Sequence, residues 1–201
     1  FDFTIARTGM GPKELTRKGI NFKSSFSISG TTPGFYPDQK DLFLEIYFDP
    51  DTKVLLGAEL MGKRGVDKRV DVLSTAIYAK LTIDDLPKLD LAYAPPFSPA
   101  KDPIIVAGFV AGNSITEGYQ EVSVTEADEI FSNPNISNYV ILDVRNPSEI
   151  HKNGLIEDSV NIPLDDLRDR LNELDKNKHI FVYCAKGLRG YLSSLILLHH
   201  G

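Results

Sequence analysis

Apolar and polar residues alternate with a period of two through residues 1–8, 21–28, 42–48 and 53–60, which predicts four strands in the first half of the chain. The third and fourth are separated by Asp49-Pro50-Asp51-Thr52, where proline presets φ and aspartate caps locally, so they are expected to form an antiparallel hairpin. From Asp67 the period lengthens. Val70, Leu73, Ile77 and Leu81 are spaced for one buried helical face over 67–80, and Thr82-Ile83-Asp84-Asp85 opens a second, short helix in the manner of a capping box. The stretch "LAYAPPFSPAKDP", 91–103, carries four prolines and reads as fixed but irregular chain. Gly108 and Gly112 follow it, and the polar run 116–121 is expected to lie in a linker over 113–121.

Beyond the linker the pattern alternates between strand and helix. A helix starts near Thr125, 139–143 is a buried strand, and 148–152 a short helix ending near Gly154. A short strand at 160–162, an amphipathic helix over 164–174, a strand at 179–183 and a helix over 189–200 complete the series. The two halves therefore predict an α+β domain built on an antiparallel sheet, 1–112, and an α/β domain, 122–201, with helices on both faces of a parallel sheet.

Composition narrows the chemistry. The 201 residues carry a net charge of -6, which argues against nucleic acid as a partner, and the apolar runs are too short to span a bilayer. A single cysteine, Cys184, can form neither an internal disulfide nor a multi-cysteine metal site, so no metal is expected and a reducing cytoplasm fits. The chain begins with Phe1 in a strand-like pattern rather than with methionine, which predicts a longer native protein. Gly9-Met10-Gly11-Pro12-Lys13-Glu14 imitates a dinucleotide-binding loop, but Glu14 replaces the third glycine and Pro12 lacks the amide a pyrophosphate would need.

Cys184 ends the strand 179–183 and opens the loop of "YCAKGLRGY", which feeds a helix. Sites in open α/β sheets gather at such strand ends, and a tight loop there aims backbone N–H groups inward to make an anion cradle. Gly187 and Gly190 permit close approach, while Lys186 and Arg189 add positive charge; together these favour thiolate, the nucleophilic form. The alternative is a small buried hydrophobe ending a core strand. None of His151, His179, His199 or His200 is adjacent to act as base. Four residues separate Cys184 from Arg189, one fewer than in the Cys-x5-Arg loop of cysteine phosphatases, which suits a sulfur atom better than a phosphate ester.

"ILDVRNPSEIHKNGLIEDSVNIPLDDL" and "VYCAKGLRGY" resemble the signature and active-site loop of rhodanese domains, with Gly154-Leu155-Ile156 where that family has Gly-His-Ile. The resemblance implies that Cys184 carries a persulfide and that the amides of Ala185, Lys186, Gly187, Leu188 and Arg189 cradle it. It also implies that Lys186 and Arg189 meet the donor or acceptor anion, that Asp143 and Arg145 hold the fold together, and that the domain continues some twenty residues further.

"GKRGVDKRVDVLSTAI" and "LAYAPPFSPAKDPI" resemble the dimerisation domain of pyridine nucleotide–disulfide oxidoreductases, in the coenzyme A-disulfide reductase and NADH oxidase branch. The resemblance implies a homodimer and a full-length protein using FAD, NAD(P)H and coenzyme A. None of these cofactors is expected to be fully bound by this chain. It implies that Tyr93 faces the partner's flavin-side cysteine, and that Phe35 stands where the branch has a second tyrosine, which fits a persulfide or polysulfide substrate; the alternatives are that Tyr93 is a buried aromatic anchoring the proline-rich turn and that Phe35 is structural. Lys63, Arg64, Lys68 and Arg69 are candidates for holding coenzyme A, or form a solvated helix start.

The expected function is therefore the C-terminal part of a flavin-dependent persulfide, polysulfide or disulfide reductase that passes sulfane sulfur through Cys184. The alternatives are an NADH oxidase or coenzyme A-disulfide reductase whose rhodanese domain only regulates or docks, and a non-catalytic dimerisation piece.

Overall fold

The computed structural model describes residues 2–115, 120–133 and 135–200, and divides into two compact units, Phe1–Glu117 and Gly118–Gly201. Phe1 of the first expected strand and residues 116–119 of the expected linker lie outside the described residues, while Asn113 and Ser114 end a helix.

The first unit is built on an antiparallel sheet of β1 (Thr4–Gly9), β2 (Lys23–Gly30), β3 (Asp41–Phe48) and β4 (Leu55–Gly62), in the order β1-β4-β3-β2. Side chains alternate along β3, so Leu42, Leu44 and Ile46 are buried while Phe43 and Glu45 are more exposed. The β3–β4 turn forms as expected: the Asp49 carboxylate accepts from the amides of Asp51 at 2.9 Å and Thr52 at 2.8 Å. A short helix α1 (Pro12–Arg17) opens with proline at its first turn, where a missing N–H costs nothing. The imitation dinucleotide loop is the turn from β1 into this helix.

Helix α2 (Val66–Tyr78) buries Val66, Leu73 and Ala76. The short helix expected after Thr82 is reduced to a single 3₁₀ turn, Leu86–Lys88; the Asp85 carboxylate accepts from both the amide and hydroxyl of Thr82. Helix α3 (Pro103–Ser114) was not anticipated. Its start is capped by Asp102, whose carboxylate accepts from the Ile104 amide, with Pro103 at the first turn. Gly108, which reads as a break, is a packing device: a Cβ there would stand 2.7 Å from Pro87 Cδ and 2.8 Å from Leu86 Cβ. The helix buries Ile104, Ala107 and Ala111 in the core formed by β3, β4 and α2.

In the second unit, β5 (Tyr139–Asp143), β6 (Val160–Asn161) and β7 (His179–Tyr183) form a parallel sheet in the order β6-β5-β7. Helix α4 (Val124–Phe131) starts with a capping box of Ser123 and Glu126, and its Phe131 meets the rings of Tyr139 and Phe181. Helix α5 (Pro147–Asn153) has a second capping box, Asn146 with Glu149, and α6 (Leu188–His200) buries Ser193 and Ile196.

The amphipathic helix expected over 164–174 is replaced by successive tight turns and a 3₁₀ turn, Leu171–Glu173. The amides of Asp166, Leu167 and Asp169 donate to the carbonyls three residues earlier, and Asp165, Asp166 and Asp169 favour turns over helix interior. Leu167 and Leu174 are buried all the same, because a spacing of three to four apolar residues suits such turns as well as it suits an α-helix. No helix among the described residues is long and apolar enough to cross a membrane.

Candidate active site

Asp143 and Tyr183 pair in register, so β5 and β7 end side by side and Cys184 follows directly. The Asp143 carboxylate is fully buried and saturated with donors. It accepts from the Arg145 amide at 2.9 Å, from Arg145 Nη2 at 2.7 Å and from the Tyr183 hydroxyl at 2.8 Å. Burial would raise its pKa, but the bonds from Arg145 and Tyr183 outweigh it and hold the group below the usual carboxylate range.

The same network reaches outward. Arg145 Nη2 donates to the Gly154 carbonyl at 2.8 Å, its guanidinium lies over the Tyr183 ring, and the Tyr183 hydroxyl accepts from the Ile156 amide at 3.1 Å. Asn161 Nδ2 donates to the carbonyls of Asp143 and Arg145, both at 2.9 Å. Asp143 and Arg145 thus tie the strand end to the loop 154–159. Leu155, at the position of the rhodanese family's histidine, points substantially to solvent, and the loop is pinned through the Ile156 amide instead.

Cys184 is partly buried, and its Sγ accepts from the amides of Gly187 at 3.1 Å and Gly190 at 3.4 Å. The loop is therefore wrapped around the sulfur, with N–H dipoles aimed where negative charge resides on a thiolate or persulfide. Gly190 lies one residue beyond the expected set of cradle amides. Ala185, Lys186, Gly187 and Leu188 form the exposed part of the loop. Gly187 has φ 99°, a conformation that side-chain-bearing residues rarely adopt. Gly187→Ala is expected to cost about 1–3 kcal/mol locally and to displace the amide that meets Sγ. The expected result is slower sulfur loading of Cys184, read by mass, with the sheet intact; an unchanged rate would contradict this role.

Arg189 does not point to an open anion site. Its Nη1 and Nη2 bind Glu149 Oε2 at 2.6 Å and Oε1 at 2.7 Å, in a bidentate pair from the loop helix to α5. The Arg189 guanidinium and the Asn146 amide hold the Glu149 carboxyl at a pKa of about 2. Glu149 is not among the residues singled out from the sequence, although it lies within the quoted stretch "ILDVRNPSEIHKNGLIEDSVNIPLDDL". His199 and His200 lie in the last turn of α6, at the end remote from Cys184.

In the first unit, Tyr93 is 54% exposed and Phe35 80% exposed. Neither ring anchors a core within this unit. The four expected coenzyme A cations separate. Arg69 is buried inward, 1% exposed, with Nη2 2.9 Å from Asp102 Oδ2, so its charge is spent inside the protein. Arg64 Nη2 donates to the Pro96 carbonyl at 2.8 Å and Lys68 Nζ to that of Ala92 at 3.4 Å, bracing the segment that carries Tyr93. Lys63 is exposed. No group of His, Cys, Asp and Glu suited to a metal ion occurs among the described residues.

These features define a two-module chain: an antiparallel-sheet module presenting exposed aromatic residues, followed by a parallel-sheet module with a cysteine held in a strand-to-helix loop. The chain belongs to the pyridine nucleotide-disulphide oxidoreductases, since residues 1–103 match the model of that family's dimerisation domain; residues 123–201 match the model of the rhodanese-like domain. The coenzyme A disulfide reductase of Staphylococcus haemolyticus (strain JCSC1435) is 43% identical over 111 residues, which are 55% of this chain and 25% of that protein. The crystal structure of reduced Bacillus anthracis CoADR-RHD superposes with a TM-score of 0.92 at 40% identity, covering 100% of this chain and 35% of that one. The NAD-dependent persulfide reductase from A. fulgidus superposes with a TM-score of 0.88 at 38% identity, with the same coverage. The chain thus spans only a quarter to about a third of these relatives.

Proposed function

We propose that this chain is the interface and sulfur-transfer part of a cytoplasmic, homodimeric, flavin-dependent reductase acting on coenzyme A persulfides, polysulfides or disulfides. The observation that carries the reading is the pair of amides, from Gly187 and Gly190, aimed at Cys184 Sγ. The Cys184 thiolate attacks the outer sulfur of a persulfide donor R–S–SH. A bond forms between the two sulfurs, the donor's S–S bond breaks, and R–S⁻ leaves, giving Cys184–S–SH. The exposed loop residues Ala185, Lys186, Gly187 and Leu188 frame the approach of the donor, and the inward amides stabilise charge on the deprotonated persulfide.

In the full-length protein, bound FAD and NAD(P)H would supply the electrons needed to release this sulfur as sulfide. This chain's contribution to that half is Tyr93, exposed on a segment braced by Arg64 and Lys68, with Phe35 exposed in the same unit. Lys63, Arg64 and Lys68 would provide the cationic contacts to coenzyme A; Arg69, buried on Asp102, would not.

The test is steady-state transfer of sulfane sulfur from a coenzyme A persulfide to cyanide by the full-length protein. Wild-type protein is expected to turn over and Cys184→Ser to fall to the uncatalysed rate. Equal rates for the two would remove Cys184 from the reaction.

A further inference from the structure

Within this sulfur-transfer reading, the geometry points to Glu149 as a specificity-determining residue: by holding Arg189 it keeps the Cys184 loop from favouring doubly charged inorganic donors over organic persulfides, R–S–SH, whose reacting end is uncharged. The Glu149–Arg189 pair is bidentate, at 2.6 and 2.7 Å, and the two side chains are 30% and 28% exposed, so both stand at the rim of the site rather than in the core. Arg189 lies between two glycines of the loop that wraps Sγ, and its pairing with Glu149 raises the pKa of its guanidinium. A cation in that position would attract any anion approaching the sulfur, and a dianion about twice as strongly as a monoanion.

Glu149 cancels that charge. The second ion pair beside the loop, Arg145 with Asp143, is closed in the same way at 2.7 Å. Two carboxylates thus neutralise two arginines beside the loop, while Lys186 stays in it whatever the state of Glu149. Such an arrangement gives thiosulfate less electrostatic advantage than an unpaired Arg189 would, whereas an organic persulfide needs little, since its arm can pack on apolar surface. The loop offers such surface in Leu188, 69% exposed.

With an organic persulfide, Cys184–S⁻ and R–S–SH give Cys184–S–SH and R–S⁻. With thiosulfate, Cys184–S⁻ and S–SO3²⁻ give Cys184–S–S⁻ and SO3²⁻. Both break one S–S bond and form another, and neither needs an added oxidant or reductant. They differ in the charge brought to the loop, which is the property Glu149 sets.

The experiment measures the rate at which the Cys184 peptide of the full-length protein gains one sulfur atom, without reduced nicotinamide. The donors are thiosulfate and N-acetylcysteamine persulfide, whose arm is uncharged; the variants are Glu149→Gln and Glu149→Ala. Glu149→Gln keeps the side chain's shape and one acceptor oxygen while removing its charge, so it separates electrostatics from packing. Both variants are expected to raise the thiosulfate-to-persulfide rate ratio by about five- to tenfold at low salt, with the gain shrinking as salt rises. A ratio that stays constant, even with both rates lowered together, would overturn the proposal and leave Glu149 a merely structural partner of Arg189. If wild-type Cys184 takes sulfur from neither donor, the sulfur-transfer reading itself fails and this proposal with it.

Discussion

Asp143→Ala will loosen the second unit where β5, β7 and the Cys184 loop meet, at a cost of about 3–5 kcal/mol. The substitution leaves the Arg145 guanidinium, 10% exposed, without its carboxylate and the Tyr183 hydroxyl without its acceptor. A buried cation stripped of its partner is costly because desolvation is no longer offset. The loss spreads through the Gly154 carbonyl, which Arg145 holds, and the Ile156 amide, which Tyr183 holds. Hydrogen exchange followed by mass spectrometry is expected to show reduced protection across β5 and β7, with the first unit unaffected. Unchanged protection there would show that the network contributes little. The wild-type pair also has an acid limit. Asp143 titrates below the usual carboxylate range, so its contribution is fully present above the unfolded-state pKa of about 3.9 and is lost as pH falls through the lower folded value.

The first unit is expected to fail in a comparable way at Asp102, again by about 3–5 kcal/mol for Asp102→Ala. Its carboxylate binds buried Arg69, accepts from the Ser98 hydroxyl at 2.7 Å and caps α3 through the Ile104 amide at 3.0 Å. Two separate losses add in the alanine variant: an uncompensated buried cation, and a helix cap whose removal costs about 1 kcal/mol by itself. The double variant Arg69→Met/Asp102→Ala removes the stranded charge as well, so it should be more stable than Asp102→Ala alone while still lacking the cap. Denaturant unfolding of the three proteins measures this directly. A double variant less stable than Asp102→Ala would mean that Arg69 contributes through contacts other than its charge.

How legible the molecule is in its sequence depends on the distance over which each feature is decided. Residues 139–142 and 180–183 are continuous apolar runs bounded by polar residues, and both strands fall where the pattern puts them. The segment 164–174 has equally regular leucines yet folds as turns, because spacing alone cannot separate three residues per turn from 3.6 when aspartates crowd the backbone. Helix α3 was hidden by Gly108 and Gly112; glycine reads as a break, while Gly108 allows the close approach of Leu86 and Pro87. The Asp102-Pro103 pair carried the signal for that helix, a capping residue before an N-terminal proline.

The candidate site divides on the same line. The Cys184 loop is local, so its glycines, its strand and its helix were readable together. The fates of Arg69 and Arg189 are not local. Each sits in a stretch that reads as exposed positive charge, and each is claimed by a carboxylate far along the chain, Asp102 at a separation of 33 residues and Glu149 at 40. Only the folded chain brings those partners in.

Cys184, on the proposed reading, is a sulfur-accepting nucleophile and not a packing residue. The most direct measurement is the mass of the Cys184 peptide after the full-length protein is exposed to a coenzyme A persulfide, beside Cys184→Ser. One added sulfur atom, removed by reductant and absent from the variant, is the predicted result. A wild-type peptide of unchanged mass, from protein shown to be folded, would leave Cys184 a packing residue.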